Sequence, residues 1–148
     1  MLPSRSTLLI PVVTLCCLGL PAAARAQDAP AAPGCSGPPK TWQVVVDSDE
    51  NGKLFYREGE NDARTIRVCP ADDITWTGGG DDDELTISFA KPGNDESPAD
   101  DGQMQTSHQH RIHKHIKRQH RKTQYSYTVT LSRGSMEYVD DPLIIIGH

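Results

Sequence analysis

The side chains best suited to chemistry in this 148-residue chain are gathered in one block, Ser107–Lys122 (SHQHRIHKHIKRQHRK). Five of the six histidines lie there: His108, His110, His113, His115 and His120. Six fixed cations, Arg111, Lys114, Lys117, Arg118, Arg121 and Lys122, are interleaved with them, and the block contains no acid. Neutral imidazole nitrogens bind Zn²⁺, Cu²⁺ or Ni²⁺. In an extended chain His108 and His110 share one face, and His113 and His115 share the other. On a helix His110 and His113 become neighbours instead, and Ile112 and Ile116 form a narrow apolar stripe. Spacing alone selects no pairing. The surrounding cations repel a divalent ion unless carboxylates from elsewhere fold over to offset them.

The same cations form a patch for phosphate or sulfate groups, strengthened when the histidines charge near ~pH 6.5. Lipopolysaccharide, teichoic or sulfated polymers and extracellular DNA carry such groups. No aromatic residue lies in the block to stack on bases, so binding of this kind is nonspecific and salt-sensitive. A third reading is that the charges only solvate a long connection or face the acids of Asp81–Glu84, where exposed pairs contribute ~0–1 kcal/mol each.

Catalytic signals are weak. No serine, cysteine or threonine is marked as a nucleophile by a motif; Ser107 and Ser132–Ser135 read as loop residues. Gly78-Gly79-Gly80 is followed by neither Lys-Ser/Thr nor a helical pattern, so it is not a phosphate loop. Trp42 and Trp76 alternate with core positions and read as core rather than ligand platforms. The expectation is a protein that is not an enzyme, with no catalytic residues.

The N-terminus carries an address. Arg5 precedes the apolar run Leu8–Leu20, which Pro11 interrupts, and Ala24-Arg25-Ala26 offers a signal peptidase its small residues. Residues 1–26 therefore read as a secretory signal peptide. The run of 13 residues is shorter than the roughly 20 a transmembrane helix needs. Cys16 and Cys17 follow Val13-Thr14-Leu15, not the small residues of a lipidation site. The expected location is periplasmic or secreted, with no integral membrane segment after cleavage. Cys35 and Cys69 remain, and in an oxidising compartment they pair most simply as one disulfide.

The remaining chain, Gln27–His148, suits one domain: a Pro-rich arm over 27–40 and a body over 41–148. The whole chain has net charge −5; removing Arg5 and Arg25 with the leader takes it to −7. The charge is segregated. Asp81–Asp101 carries eight acids against Lys91 alone, and the basic block follows.

The periodicity is that of strands. Trp42, Val44 and Val46 alternate, Asp49-Glu50-Asn51-Gly52 supplies turn chemistry, and Lys53–Arg57 returns. Thr65–Cys69 and Ile74–Thr77 follow. Leu85, Ile87 and Phe89 alternate, as do Tyr125, Tyr127, Val129 and Leu131. Leu143–Ile146 is a continuous apolar run suited to a strand buried on both faces. Lys91–Gln105 is Pro/Gly/Asp-rich and reads as a surface loop. About seven short strands indicate an all-β, antiparallel Greek-key β-sandwich, with 91–123 as a charged insertion.

Val68-Cys69-Pro70-Ala71-Asp72-Asp73-Ile74-Thr75-Trp76 resembles the cupredoxin segment of strand, Gly-Asp turn and strand ending in an aromatic. Leu85–Phe89 looks like the next cupredoxin strand. Tyr125-Ser126-Tyr127-Thr128-Val129 is similar to the Tyr-x-Tyr-x-Cys approach to the copper loop, and Asp141–Ile146 to the closing strand. The resemblance implies a cupredoxin-like sandwich. A blue-copper centre takes two imidazoles and a thiolate. Here Leu85 stands where the family has its first copper histidine and Val129 where it has the thiolate; no histidine lies between Gln124 and Gly147. Met136 reads as a packing residue. A copper-free version is expected, with no resident cofactor.

The functional expectation is an exported, non-catalytic binding module that engages an anionic partner through the block. The alternative is a periplasmic protein that binds or buffers Cu, Zn or Ni with the same histidines.

Overall fold

The computed structural model describes residues 34–91, 96–118 and 123–147. The expected signal peptide, the arm before Gly34, and His120, Arg121 and Lys122 lie outside the described residues. Those described contain twelve strands and no helix: β1 (Thr41–Ser48), β2 (Leu54–Glu58), β3 (Asn61–Asp62), β4 (Thr65–Val68), β5 (Asp73–Gly78), β6 (Glu84–Ser88), β7 (Gln105–Gln109), β8 (Arg111–His115), β9 (Gln124–Ser126), β10 (Thr128–Arg133), β11 (Met136–Asp140) and β12 (Leu143–Ile146). They form three sheets, ordered β3-β2-β1-β5-β8, β11-β10-β6-β7 and β4-β12-β9. Pairing is antiparallel except for β1 with β5 and β4 with β12. The all-β expectation holds, but twelve strands exceed the seven read from the sequence.

Alternation builds the core. Val44 and Val46 of β1 point inward, as do Ile74 and Trp76 of β5. On the facing sheet Leu85 pairs with Leu131 and Ile87 with Val129, all fully buried. The hinge of this core is aromatic. The Trp76 indole donates to Tyr127 Oη at 3.2 Å, and the rings meet edge-on at 5.8 Å. Phe89 packs against Tyr127 at 5.4 Å. Burial pushes the Tyr127 hydroxyl well above its ordinary pKa. Leu85 and Val129, at the positions where the cupredoxin resemblance puts ligands, are packing residues. Met136 is not: it is 53 % exposed. The expectation of a packed Met136 fails because Met136 begins edge strand β11, and on its face only Tyr138, farther along the strand, reaches the core.

The basic block is not a loop outside the sandwich. Gln105–Gln109 lies along β6 and Arg111–His115 along β5, so the chain crosses from one sheet to another at His110. Ile112 and Ile116 are each 1 % exposed and belong to the core. Part of the stretch expected as a surface loop also has a structural place. Ala99 bridges Ile116, and Asp100 N and Lys117 N donate to His115 O and Pro98 O. That segment covers the edge of β8 at its His115 end.

Two polar knots hold the ends of this framework. Cys35 and Cys69 are disulfide-bonded, with Cα atoms 5.5 Å apart. Beside them the buried Asp72 carboxylate accepts from Lys40 N (2.8 Å), Trp42 Nε1 (2.9 Å) and Cys69 N (2.9 Å). Three donors satisfy a charge that would otherwise be costly to bury. At the opposite end of β1 and β5, the Arg133 guanidinium forks onto Asp83 (2.7 Å twice) and reaches Asp47 at 2.7 Å. Gly78 and Gly79 make room for these carboxylates. A Cβ on Gly78 would lie 2.5 Å from Asp83 Cβ, and one on Gly79 2.6 Å from Asp47 Cγ.

Candidate functional site

Strand β8 positions the histidines. Its register sets His115 opposite Asp73, His113 opposite Thr75 and Arg111 opposite Thr77. Period-2 alternation sends Ile112, Lys114 and Ile116 inward and Arg111, His113 and His115 outward. Lys114 is 5 % exposed and bonds Asp101. Burial pushes the Asp101 carboxyl up, but the Lys114 ammonium and the Gln103 amide pull it down further, to below its ordinary value. A cation of the expected anion patch is therefore consumed internally.

His113 and His115 share one face, as expected for an extended chain, and two carboxylates join them. His115 Nδ1 lies 2.8 Å from Asp73 Oδ1, and His115 Nε2 lies 3.5 Å from Asp100 Oδ2. His113 Nε2 lies 3.5 Å from the same Asp73 oxygen. Its Nδ1 is 3.0 Å from Thr75 Oγ1, a buried hydroxyl. The helical pairing of His110 with His113 does not occur.

Proton counting shows what this arrangement favours. A neutral imidazole carries one N–H and one lone pair. His115 faces a carboxylate with both nitrogens, so one lone pair is aimed at negative charge unless a positive charge intervenes. If His113 donates Nδ1–H to Thr75, its Nε2 lone pair likewise faces Asp73. Two imidazoles and two carboxylates at these positions bring together the donor types that a divalent metal ion takes. Donors around four-coordinate Zn²⁺ sit roughly 3.3 Å apart, given bonds of ~2.0–2.1 Å. The contacts of Asp73 Oδ1 with the two imidazoles, 2.8 and 3.5 Å, bracket that spacing. Among the described residues no three His, Cys, Asp or Glu side chains already converge as a finished metal shell. The carboxylate now bonded to His115 must turn to make one.

The rest of the block is dispersed. His108 is 3.6 Å from Glu84 Oε2, and His110 Nδ1 is 3.0 Å from Asp83 O, so neither joins His113 and His115. Lys117 donates to Ser97 O. Arg111 and Arg118 are exposed. Glu84, His108, Ser132 and Ser135 line one open pocket of about 400 Å³, without a serine–imidazole hydrogen bond among the described residues.

Sequence reasoning missed Asp73, Asp100 and Thr75 as partners of the histidines, and Arg133 as the partner of Asp83. The only sequence-level trace of the first was parity: Asp73 and Thr75 share a strand face. Among the described residues no helix is long and apolar enough to cross a membrane. No protein-family model matches the chain, and no curated protein matches it.

Proposed function

We propose that this chain is a non-catalytic binding protein of the exported space that takes up a divalent metal ion, Zn²⁺, Cu²⁺ or Ni²⁺, on the outer face of β5 and β8. His113, His115, Asp73 and Asp100 are the ligand set. The observation that carries the reading is the apposition of both His115 nitrogens to carboxylates, with His113 sharing Asp73. It answers the main objection raised by the sequence: acids do reach these imidazoles, and Lys114 is neutralised by Asp101. Thr75 acts on His113 as a positioning residue, since fixing one ring nitrogen aims the other.

The anionic-partner reading stands second, supported by the exposure of Arg111 and Arg118. The cupredoxin resemblance fits an all-β body whose family ligand positions are filled by buried Leu85 and Val129. A copper-free member with metal held on an outer strand is consistent with both.

Calorimetric titration with Zn²⁺ and Cu²⁺ tests the proposal. Micromolar binding at pH 7.5 is expected, weakened at least tenfold in His113→Ala and in Asp73→Asn and largely lost at pH 5.5. Binding that persists in both variants places the ion elsewhere and defeats the reading. Tight, salt-sensitive binding of heparin that depends on Arg111 and Arg118, with no metal uptake, would establish the second reading instead.

A further inference from the structure

The side of β1 turned away from β5 carries a strand-shaped opening. In the parallel β1–β5 ladder Asp73 N donates to Lys40 O (2.8 Å) and Gly79 N to Val46 O (2.9 Å). Alternate residues of a parallel strand turn their backbone groups to the same neighbour. Trp42, Val44 and Val46 therefore turn theirs to β5, and Thr41 and Gln43 turn theirs to the opposite side. Strand β2 occupies that side only from Val45 onward. A similar ladder fixes β4. Leu143 N donates to Arg64 O (3.1 Å) and Gly147 N to Val68 O (2.9 Å). Ile66 and Val68 thus face β12, while Thr65 and Arg67 present N–H and C=O to a side where no described strand pairs.

These two open edges line one groove. A cavity of about 280 Å³ is bounded by Lys40, Trp42, Arg67 and the disulfide. A second, of about 210 Å³, is bounded by Trp42, Thr65, Arg67, Glu58 and Asp62. Trp42 and Arg67 line both. Unpaired backbone groups on an exposed edge are a template for a further strand.

We infer that this groove binds an extended peptide segment of a partner protein by β-strand addition between Thr41–Gln43 and Thr65–Arg67. The segment places an acidic side chain by Lys40 and Arg67 and a basic one by Glu58 and Asp62. About four residues span the ~13 Å length of β4. The charge pattern excludes a second copy of either edge, because neither Thr41–Val44 nor Thr65–Val68 carries an acid to answer Lys40 and Arg67. The inference is independent of the metal reading, since the groove shares no residue with the histidine cluster.

A displayed library of nine-residue peptides, selected on the oxidised chain and counter-selected on its Gln43→Pro variant, tests it. Proline removes an N–H that β5 does not use, a substitution an edge position tolerates. The expected winners are strand-forming sequences with an acid near one end and a base near the other. A synthetic winner should lose at least tenfold in affinity on Gln43→Pro and on Arg67→Glu, and should slow amide exchange at Gln43, Thr65 and Arg67. Should Gln43→Pro misfold, counter-selection on Arg67→Glu and the exchange measurement carry the test. The inference falls if no sequence separates the chain from its edge variant, or if the winners leave these amides unchanged. It falls equally if the amides are already protected in the free monomer or become so on self-association, which would put this chain's own segment or a second copy in the groove.

Discussion

Replacing Arg133 by alanine should destabilise the fold by about 3 kcal/mol at neutral pH. Removing one member of a buried ion pair costs roughly 3–5 kcal/mol, because the other charge is left uncompensated. Asp83 meets that condition: its side chain is 1 % exposed, and Arg133 grips both its oxygens. Arg133 itself is 36 % exposed, so water relieves part of the loss, and the low end of the range applies. Urea unfolding of the oxidised variant, followed by tryptophan fluorescence, should show a midpoint lower by about 1.5 M for a slope near 2 kcal/mol/M. The pH dependence is a second signature. In the native chain the Arg133 hydrogen bonds hold the Asp83 carboxyl below its ordinary value. Its contribution is thus present above ~pH 3.9 and lost as pH falls through the lower, folded value. In the variant, burial without the guanidinium raises that carboxyl, so the penalty grows as pH rises through ~3.9. The two curves should lie far apart at pH 7 and draw together near pH 3. A difference below about 0.5 kcal/mol at pH 7, or one unchanged at pH 3, refutes the reasoning.

Other substitutions probe the remaining framework. Changing Cys35 and Cys69 together to serine should cost about 3–4 kcal/mol, the chain-entropy value for a closed loop of this length, read as the same midpoint shift. Ile112→Ala should cost about 2–5 kcal/mol as a core truncation, whereas Arg111→Ala, one residue away and exposed, should stay within ~0.5 kcal/mol; equal effects would deny that β8 is a core strand. Gly79→Ala should cost about 1–3 kcal/mol through its clash with Asp47, and the cost should fall more in an Asp47→Gly background than in Asp47→Ala, whose Cβ would still lie 2.8 Å away.

Strands with clean apolar–polar alternation were legible: β1, β6, β10 and the buried run of β12. The disulfide was legible once Cys16 and Cys17 were assigned to the leader, leaving Cys35 and Cys69 as the one pair. Strand β8 was not, because its inward positions read Ile-Lys-Ile. Lys114 interrupts the period at the place where a third apolar residue would have revealed it, and its burial depends on Asp101, 13 residues away in sequence. The strand β7 is polar on both faces and has no periodic signal. Of the candidate site, the shared face of His113 and His115 followed from parity. Asp73 could not be assigned to it, since that contact spans 42 residues and exists only through the β5–β8 register. Asp83 looked like one of four solvated acids; only a guanidinium from β10 distinguishes it.

Ala99 and its neighbours close the margin of β8 at its His115 end, while the margins of β1 and β4 near Trp42 stay accessible. Hydrogen-bonded extension is therefore hindered at that end of β8 and invited beside Trp42. Excising residues 96–101 would bare the backbone groups of His115 and Lys117 and lengthen the edge that a neighbouring chain could meet.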